Sequence, residues 1–205
     1  MYKVLFFWPN IIGYIRVFLL AFAFSKAIDN PNAFAISYIL ALALDGLDGF
    51  LARRLNQCSF FGAVLDMMCD RTATCGLIIV LVSKYPSLVT TGIFLIALDF
   101  VSHYVRMCST MSLKKSSHKD LQGNSSLLLQ LYYQHKWIMC VTYAAQELWY
   151  LSMYLKTFPI TNGFVAAVLS SRTIMANIFG LFLIKQWVNL LQLQNGIQNI
   201  CEQDE

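Results

Sequence analysis

Residues 45–70 read DGLDGFLARRLNQCSFFGAVLDMMCD, and this stretch sets four aspartates in an otherwise apolar chain. Asp45 and Asp48 lie three residues apart near the end of one apolar segment, and Asp66 and Asp70 lie four apart near the start of the next. Residues at these spacings share one face of a helix. Because RRLNQCS turns the chain between the two segments, the sequence predicts that both carboxylate pairs converge at one membrane boundary.

The composition is that of a membrane protein. Hydrophobic residues make up 58% of the 205 residues and charged residues only 13%, whereas soluble domains are about 45–50% apolar and about 25% charged. The length accommodates about six helices of about 20 residues each. We therefore predict an all-α polytopic membrane protein with six transmembrane helices, forming a single membrane domain over residues 1–205.

Two other classes of protein are excluded by charge and cysteine content. The formal charge is +4, and no basic run is long enough to indicate nucleic-acid binding. The six cysteines show no C-x-x-C spacing and lie mostly in apolar runs, which favours small buried side chains over disulfides or zinc ligands.

Hydropathy gives the predicted spans, and basic residues give their orientation. Six Lys or Arg residues fall on the side of the N-terminus and three on the other, which predicts a cytosolic N-terminus and a cytosolic aspartate cluster. The predicted spans are roughly 10–27, 33–53, 59–83, 87–108, 133–156 and 163–192.

The free energy of insertion makes the four aspartates informative. Each Asp at a helix centre costs about 2.5–3.5 kcal/mol, so four deep ones approach about 10–14 kcal/mol. Arg53, Arg54 and Arg71 are the arginines close to them in sequence, and ion pairs with these explain the cluster only in part. Carboxylates from two helices form a hard oxygen site, which predicts Mg²⁺ or Mn²⁺. The spacing does not fit an EF-hand loop, which needs a Glu at its twelfth position.

Small residues alternate with the aspartates and allow two interpretations. They let helix backbones approach closely, and they equally leave room for a base and a diphosphate beside the metal. These residues are Gly46, Gly49, Ala52, Gly62 and Ala63.

The spacing D-x2-D-G-x2-A-R-x8-G-x3-D-x3-D, from Asp45 to Asp70, resembles in full the motif of the CDP-alcohol phosphotransferase family. PNIIGYIR at 9–16 is similar to the opening of the family's first helix. The stretches LNQCSFFGAVLDMMCDR and SHYVRMCS…SHKDL…GN resemble the eukaryotic branch that uses inositol. The resemblance implies the membrane fold of that family, a homodimer, and a multi-pass location in the endoplasmic reticulum membrane.

The resemblance also implies a reaction and a set of roles. The reaction joins CDP-diacylglycerol and myo-inositol to give phosphatidylinositol and CMP. A two-metal centre of Mg²⁺ or Mn²⁺ would use Asp45, Asp48 and Asp66, with Asp70 touching the second metal and serving as general base. The CDP-diacylglycerol head group would contact Gly49, Arg53 and Ser59. A secondary alcohol needs such a base because it is a poor nucleophile at neutral pH.

The acceptor site and the competing functions stay open. His103 and Arg106 either contact inositol or form an internal ion pair with Asp99 beside them. The candidates for contact with inositol are His103, Arg106, Ser117, His118, Lys119 and Lys136. Glycerol 3-phosphate, serine and choline are alternative acceptors within the family. A cation transporter is less favoured because transporters usually show paired repeats, and an intramembrane prenyltransferase because its longer chain carries two aspartate motifs.

Overall fold

The computed structural model describes residues 2–113, 127–159 and 163–204. Within these ranges the chain forms eight α-helices and no β-strand, with short 3₁₀ turns at Lys3–Phe6 and Pro86–Leu88. The helices are α1 (Trp8–Lys26), α2 (Pro31–Arg54), α3 (Phe60–Lys84), α4 (Val89–Leu113), α5 (Leu127–Gln134), α6 (Lys136–Leu155), α7 (Gly163–Ser170) and α8 (Arg172–Asp204).

The all-α membrane class is confirmed. In the described ranges, four helical segments are long and apolar enough to cross a membrane: Trp8–Lys26, Pro31–Arg54, Pro86–Met111 and Arg172–Glu202. Large apolar side chains on them stay exposed, such as Phe18 and Phe94, as expected where lipid tails replace water. The predicted number of six spans stays a prediction.

The predicted sixth segment, 163–192, needs a correction. It is not one helix, because α7 ends at Ser170 and α8 begins at Arg172. The Ser171 hydroxyl accepts a hydrogen bond from the Ile174 N–H at 3.4 Å, as an N-cap side chain does. Hydropathy does not register such a break, since it averages over the polar SSRT that contains the cap.

The chain divides into two compact units, Met1–Ser83 and Lys84–Glu205. The single domain predicted over 1–205 stays a prediction. In the first unit α1 packs against α2, and the rings of Phe24, Phe34 and Tyr38 lie 5.5–6.1 Å apart. Phe34 and Tyr38 are completely buried. This aromatic cluster is one part of the apolar core of the unit.

A tight turn joins α2 to α3 and fixes where one helix ends and the next begins. Asn56 adopts the left-handed conformation (φ 54°), and the Gln57 N–H bonds to the Ala52 carbonyl at 2.9 Å. Together these form a Schellman motif that ends α2. The Ser59 hydroxyl then accepts from the Gly62 N–H at 3.0 Å and caps α3. The turn predicted at RRLNQCS is therefore observed, with its cause.

Two glycines let α1 and α3 lie close together. A Cβ at Gly13 would be 2.7 Å from Leu65 Cδ2, and a Cβ at Gly62 would be 2.7 Å from Asn10 Oδ1. Asn10 has little freedom to yield, because it is buried and its amide donates to the Val4 carbonyl at 2.6 Å. Small residues at these positions bring α1 alongside the aspartates of α3.

In the second unit α8 packs against α4 and α6. One apolar cluster joins Leu129, Tyr132 and Val188. A second joins α6 and α8 through Trp149 and Phe179, whose ring centroids are 4.7 Å apart. Helix α8 is thus the common packing partner within this unit.

Candidate active site

The four aspartates surround one guanidinium group that comes from α1. Arg16 Nη1 donates to Asp48 Oδ2 at 2.9 Å and to Asp66 Oδ1 at 2.8 Å. Arg16 Nη2 contacts Asp45 Oδ1 at 2.7 Å and donates to Asp70 Oδ1 at 2.6 Å. Two helices supply the carboxylates at the predicted spacings, and both pairs converge as predicted.

Arg16 is the residue that the sequence interpretation missed. The arginines close to the aspartates in sequence are Arg53, Arg54 and Arg71, whereas Arg16 lies 29 residues before Asp45 and comes close only through helix packing. Its side chain is 2% exposed. A lone arginine inside the apolar 10–27 segment was the available indication, since ionisable residues within membrane segments are rare and usually pair with another group.

The carboxylates differ in how far they are exposed. The side chain of Asp48 is 10% exposed and that of Asp66 is 47% exposed. Asp70 is largely buried and also lies 3.8 Å from Arg71 Nη2. The cluster therefore extends from a buried side at Arg16 to an open side at Asp66.

Three of the four predicted metal ligands have the spacing that a cation needs. Asp45, Asp48 and Asp66 each offer one carboxylate oxygen, and these oxygens lie within 4.8 Å of one another. Hard oxygen donors of this kind suit Mg²⁺, Mn²⁺ or Ca²⁺. The arrangement is compatible with a divalent metal site, and the identity of the metal stays a prediction.

An open cavity of about 180 Å³ adjoins the carboxylates in the first unit. Asp48 and Asp66 contribute to its wall, while Asp45 and Asp70 do not. The rest of the wall includes Gly49, Ala52, Arg53, Gln57, Ser59, Gly62 and Ala63. Among the small residues, Gly62 allows close packing, and Gly49, Ala52 and Ala63 line the cavity.

The three predicted contacts for the head group all line this cavity. Gly49 lies beside the Arg53 side chain, since a Cβ there would be 3.5 Å from Arg53 Nη1. The side chain of Arg53 therefore lies beside α2 at a position that has no side chain, Gly49. Ser59 has a second role that the sequence interpretation did not foresee, because its hydroxyl caps α3. Its oxygen accepts the Gly62 N–H, and its own proton can be donated elsewhere.

The predicted acceptor residues belong to the second unit. His103 Nδ1 lies 2.8 Å from the Asp99 carbonyl and 3.9 Å from Asp99 Oδ1. Arg106 stacks on the ring of Tyr133, with its guanidinium carbon 3.7 Å from the centroid. Lys136 begins α6. The candidates Ser117, His118 and Lys119 lie outside the described residues.

Comparison with known proteins identifies the family. A family model described as CDP-alcohol phosphatidyltransferase matches residues 6–160. The chain is 36% identical over 202 residues to CDP-diacylglycerol–inositol 3-phosphatidyltransferase 1 of Arabidopsis thaliana, covering 94% of this chain and 87% of that protein. It is 36% identical over 201 residues to CDP-diacylglycerol–inositol 3-phosphatidyltransferase of Saccharomyces cerevisiae, covering 98% of this chain and 89% of that one.

An animal relative matches over a shorter stretch. CDP-diacylglycerol–inositol 3-phosphatidyltransferase of Rattus norvegicus is 35% identical over 158 residues, covering 76% of this chain and 73% of the rat protein. No solved structure gives a significant match. The family model covers all four aspartates, Arg16 and the cavity residues. By the extent of both matches, this chain belongs to the CDP-alcohol phosphatidyltransferase family.

Proposed function

We propose that this enzyme transfers the phosphatidyl group of CDP-diacylglycerol to myo-inositol, giving phosphatidylinositol and CMP. Relatives that carry this activity in their names align with nearly the whole chain. The observation that carries the proposal is that Asp48, Asp66 and Arg53 line the same cavity. A diphosphate needs both cationic groups and metal ligands, and this cavity offers them side by side.

The metal would be held by Asp45, Asp48 and Asp66, with Asp70 as a ligand to a second ion. The spacing of the first three within 4.8 Å supports this. Mg²⁺ or Mn²⁺ bound there would neutralise charge on the diphosphate and on the departing CMP. The carboxylates of these three aspartates come from α2 and α3, and each one contacts Arg16. The ligand oxygens are therefore ordered before substrate arrives.

The nucleotide end of CDP-diacylglycerol would bind along α2 and the start of α3. Arg53 would donate from its planar fork to a phosphate oxygen, and Gly49 would let the head group approach the helix backbone. Ser59 would donate its hydroxyl proton while its oxygen keeps the cap on α3. The common cavity wall of these three residues supports this arrangement.

Asp70 would act as the general base. The inositol hydroxyl oxygen forms a new bond to the phosphorus of the phosphatidyl group, and the bond from that phosphorus to the CMP oxygen breaks. The hydroxyl proton passes to the Asp70 carboxylate. Arg16 and Arg71, at 2.6 and 3.8 Å from its two oxygens, would orient that carboxylate before the transfer.

Within the second unit, His103 and Arg106 are the described residues whose nitrogen donors suit a polyol. Arg106 is held flat on Tyr133, and such a planar cation presents several donors to a polyol. A site built for several hydroxyls discriminates against alcohols that leave its polar groups unpaired. The names of the aligned relatives are the basis for proposing inositol over glycerol 3-phosphate, serine or choline.

The proposed location is the endoplasmic reticulum membrane, with the active site facing the cytosol. Six basic residues against three support this orientation. Family resemblance further supports a homodimer.

The test is CMP release by purified protein in detergent micelles. With CDP-diacylglycerol and a divalent cation present, myo-inositol should support release, and each of the other three alcohols should support far less. If glycerol 3-phosphate supported CMP release at the same rate as myo-inositol, the proposed acceptor would be contradicted, but the reaction would still be that of the family. An absence of CMP release with every alcohol would contradict the enzyme itself.

A further inference from the structure

Arg16 has an unusual set of contacts. Its two terminal nitrogens each contact two aspartates, so one guanidinium touches one oxygen of all four carboxylates at 2.6–2.9 Å. Its Nε is buried, with no hydrogen-bond partner in the parts of the chain that the structure describes. The carboxylates alone therefore orient the group.

The charges around this guanidinium do not balance. Four carboxylates carry −4, and the two buried arginines that contact them, Arg16 and Arg71, carry +2. The sum is −2, in a surrounding of apolar helices. This excess of negative charge attracts divalent cations without removing either arginine. The charge of the cluster thus leaves room for a metal ion beside Arg16 rather than in its place.

Each contact with Arg16 uses one of the two oxygens of a carboxylate. Arg16 uses Oδ1 of Asp45, Asp66 and Asp70 and Oδ2 of Asp48. Each of these carboxylates has a second oxygen. Groups that hydrogen-bond to a ligand from behind orient it toward the metal, and their loss typically lowers metal affinity by about 10–100-fold.

We propose that Arg16 is a positioning residue for the metal centre: it holds the four carboxylates from the α1 side in the arrangement that binds the cation. The inference rests on the proposed metal site and goes beyond it, because it assigns a function to a residue that is itself no ligand. A planar fork that spans four acceptors suits this function, and a single ammonium does not.

The alternative role for Arg16 predicts the opposite change in metal affinity when Arg16 is removed. If Arg16 were only a counter-charge that occupies the metal's place, its removal would relieve a repulsion and tighten metal binding. If it positions the carboxylates, its removal weakens binding even though a positive charge has been lost. Metal affinity therefore separates the two roles directly.

The experiment is a titration of purified protein in micelles with Mn²⁺, following the electron paramagnetic resonance signal of the free ion. Arg16→Met removes the fork and the charge at similar length, and Arg16→Lys keeps the charge alone. Arg54→Lys is the control, since Arg54 is an exposed arginine at the end of α2, with its guanidinium carbon 6.0 Å from the centroid of the Phe50 ring. We expect Mn²⁺ affinity about 10–100-fold weaker in Arg16→Met, an intermediate loss in Arg16→Lys, and little change in Arg54→Lys.

The number of sites distinguishes positioning from general damage. A partly unfolded variant binds fewer ions at the original affinity, whereas lost positioning keeps the number and lowers the affinity. Equal or tighter binding by Arg16→Met overturns the inference, and where that variant does not fold, Arg16→Lys with unchanged or tighter binding overturns it. If the unchanged protein binds no Mn²⁺, the proposed metal site fails as well, so the two failures are told apart.

Discussion

Both units bury charged side chains among apolar helices, but they compensate the charges differently. In the first unit one guanidinium meets four carboxylates, and the excess negative charge adjoins an open cavity. In the second unit Lys185 Nζ donates to Asn189 Oδ1 at 2.7 Å, and Asn189 Nδ2 donates to Asp99 Oδ1 at 3.4 Å. There, a neutral amide links one cation to one carboxylate.

Burial separates the two clusters as well. Lys185, Asn189 and Asp99 are all at most 2% exposed, whereas Asp66 keeps nearly half of its side chain accessible. A closed and balanced set of charges satisfies its own members, which fits a role in packing. An unbalanced and open set attracts a further cation. We therefore expect the reactive part of this molecule where excess charge is accessible, rather than wherever charge is buried.

The largest effect should follow removal of a metal ligand. Asp48→Asn keeps the shape of the side chain but weakens it as a ligand, and CMP release should fall by at least about 10³-fold, because a bound metal contributes several kcal/mol to such reactions. Chelation with EDTA should have the same effect, and Mg²⁺ or Mn²⁺ should reverse it in the unchanged protein only.

Asp29→Asn is the matched control, because Asp29 is an exposed acid between α1 and α2. It should leave CMP release intact. Full turnover after EDTA treatment would contradict the metal site, and with it the view that excess charge marks the reactive unit.

A smaller loss is expected at Asp70. Asp70→Asn removes the base while keeping the size of the side chain, and turnover should fall by about 10²–10⁴-fold, which is the usual contribution of general-base catalysis. Affinity for CDP-diacylglycerol should survive better than in Asp45→Asn, because Asp45 belongs to the three-carboxylate group and Asp70 does not. Turnover and lipid-nucleotide affinity, measured for both variants, check this. Near-normal turnover in Asp70→Asn would mean that a group other than Asp70 accepts the proton of the inositol hydroxyl.

In the second unit, loss of a buried polar side chain should lower stability and leave metal affinity unchanged. Asn189→Leu removes the amide that links Lys185 to Asp99, and buried polar groups that lose a partner cost about 1–3 kcal/mol each. Unfolding in micelles should therefore occur at lower temperature, with Mn²⁺ affinity unchanged. Leu190→Ala, at the exposed next position of α8, is the control and should change stability much less. A loss of Mn²⁺ affinity in Asn189→Leu would end the contrast between the units.

The sequence predicted the parts of the site that depend on local spacing. Helix periodicity paired Asp45 with Asp48 and Asp66 with Asp70, and the polar turn between them brought the pairs together. Arg16 was missed because its meeting with them depends on how α1 packs on α2 and α3, which small residues such as Gly13 allow. Spacing along the chain does not encode that contact.

Helix ends show the same limit. Asn30 before Pro31 is a recognisable start, and its side chain accepts the Ala33 N–H at 3.0 Å. The break at Ser171 lies in a stretch whose average hydropathy is apolar, so hydropathy does not indicate it. The family resemblance implies that Ser59 contacts the head group, and it gives no indication that Ser59 caps α3.

The smallest effect is expected at Ser59, where the two roles can be separated. Ser59→Ala removes both the cap and the hydroxyl donor, while Ser59→Asn keeps an acceptor for the Gly62 N–H. Loss of an N-cap costs about 0.5–2 kcal/mol, and Asn is as good a cap as Ser. Thermal unfolding should therefore shift downward in Ser59→Ala and stay near the original in Ser59→Asn.

The KM for CDP-diacylglycerol then decides whether Ser59 also contacts the head group. If the hydroxyl donates to the substrate, the KM should rise in both variants, because neither keeps that donor in its place. A lost neutral hydrogen bond is worth about 0.5–1.5 kcal/mol, which corresponds to a rise of roughly 2- to 13-fold. A normal KM in Ser59→Asn with reduced stability in Ser59→Ala would leave Ser59 as a helix cap only. The cavity would then bind the head group through Arg53 and the backbone at Gly49, and charge would dominate recognition in this unit even more strongly.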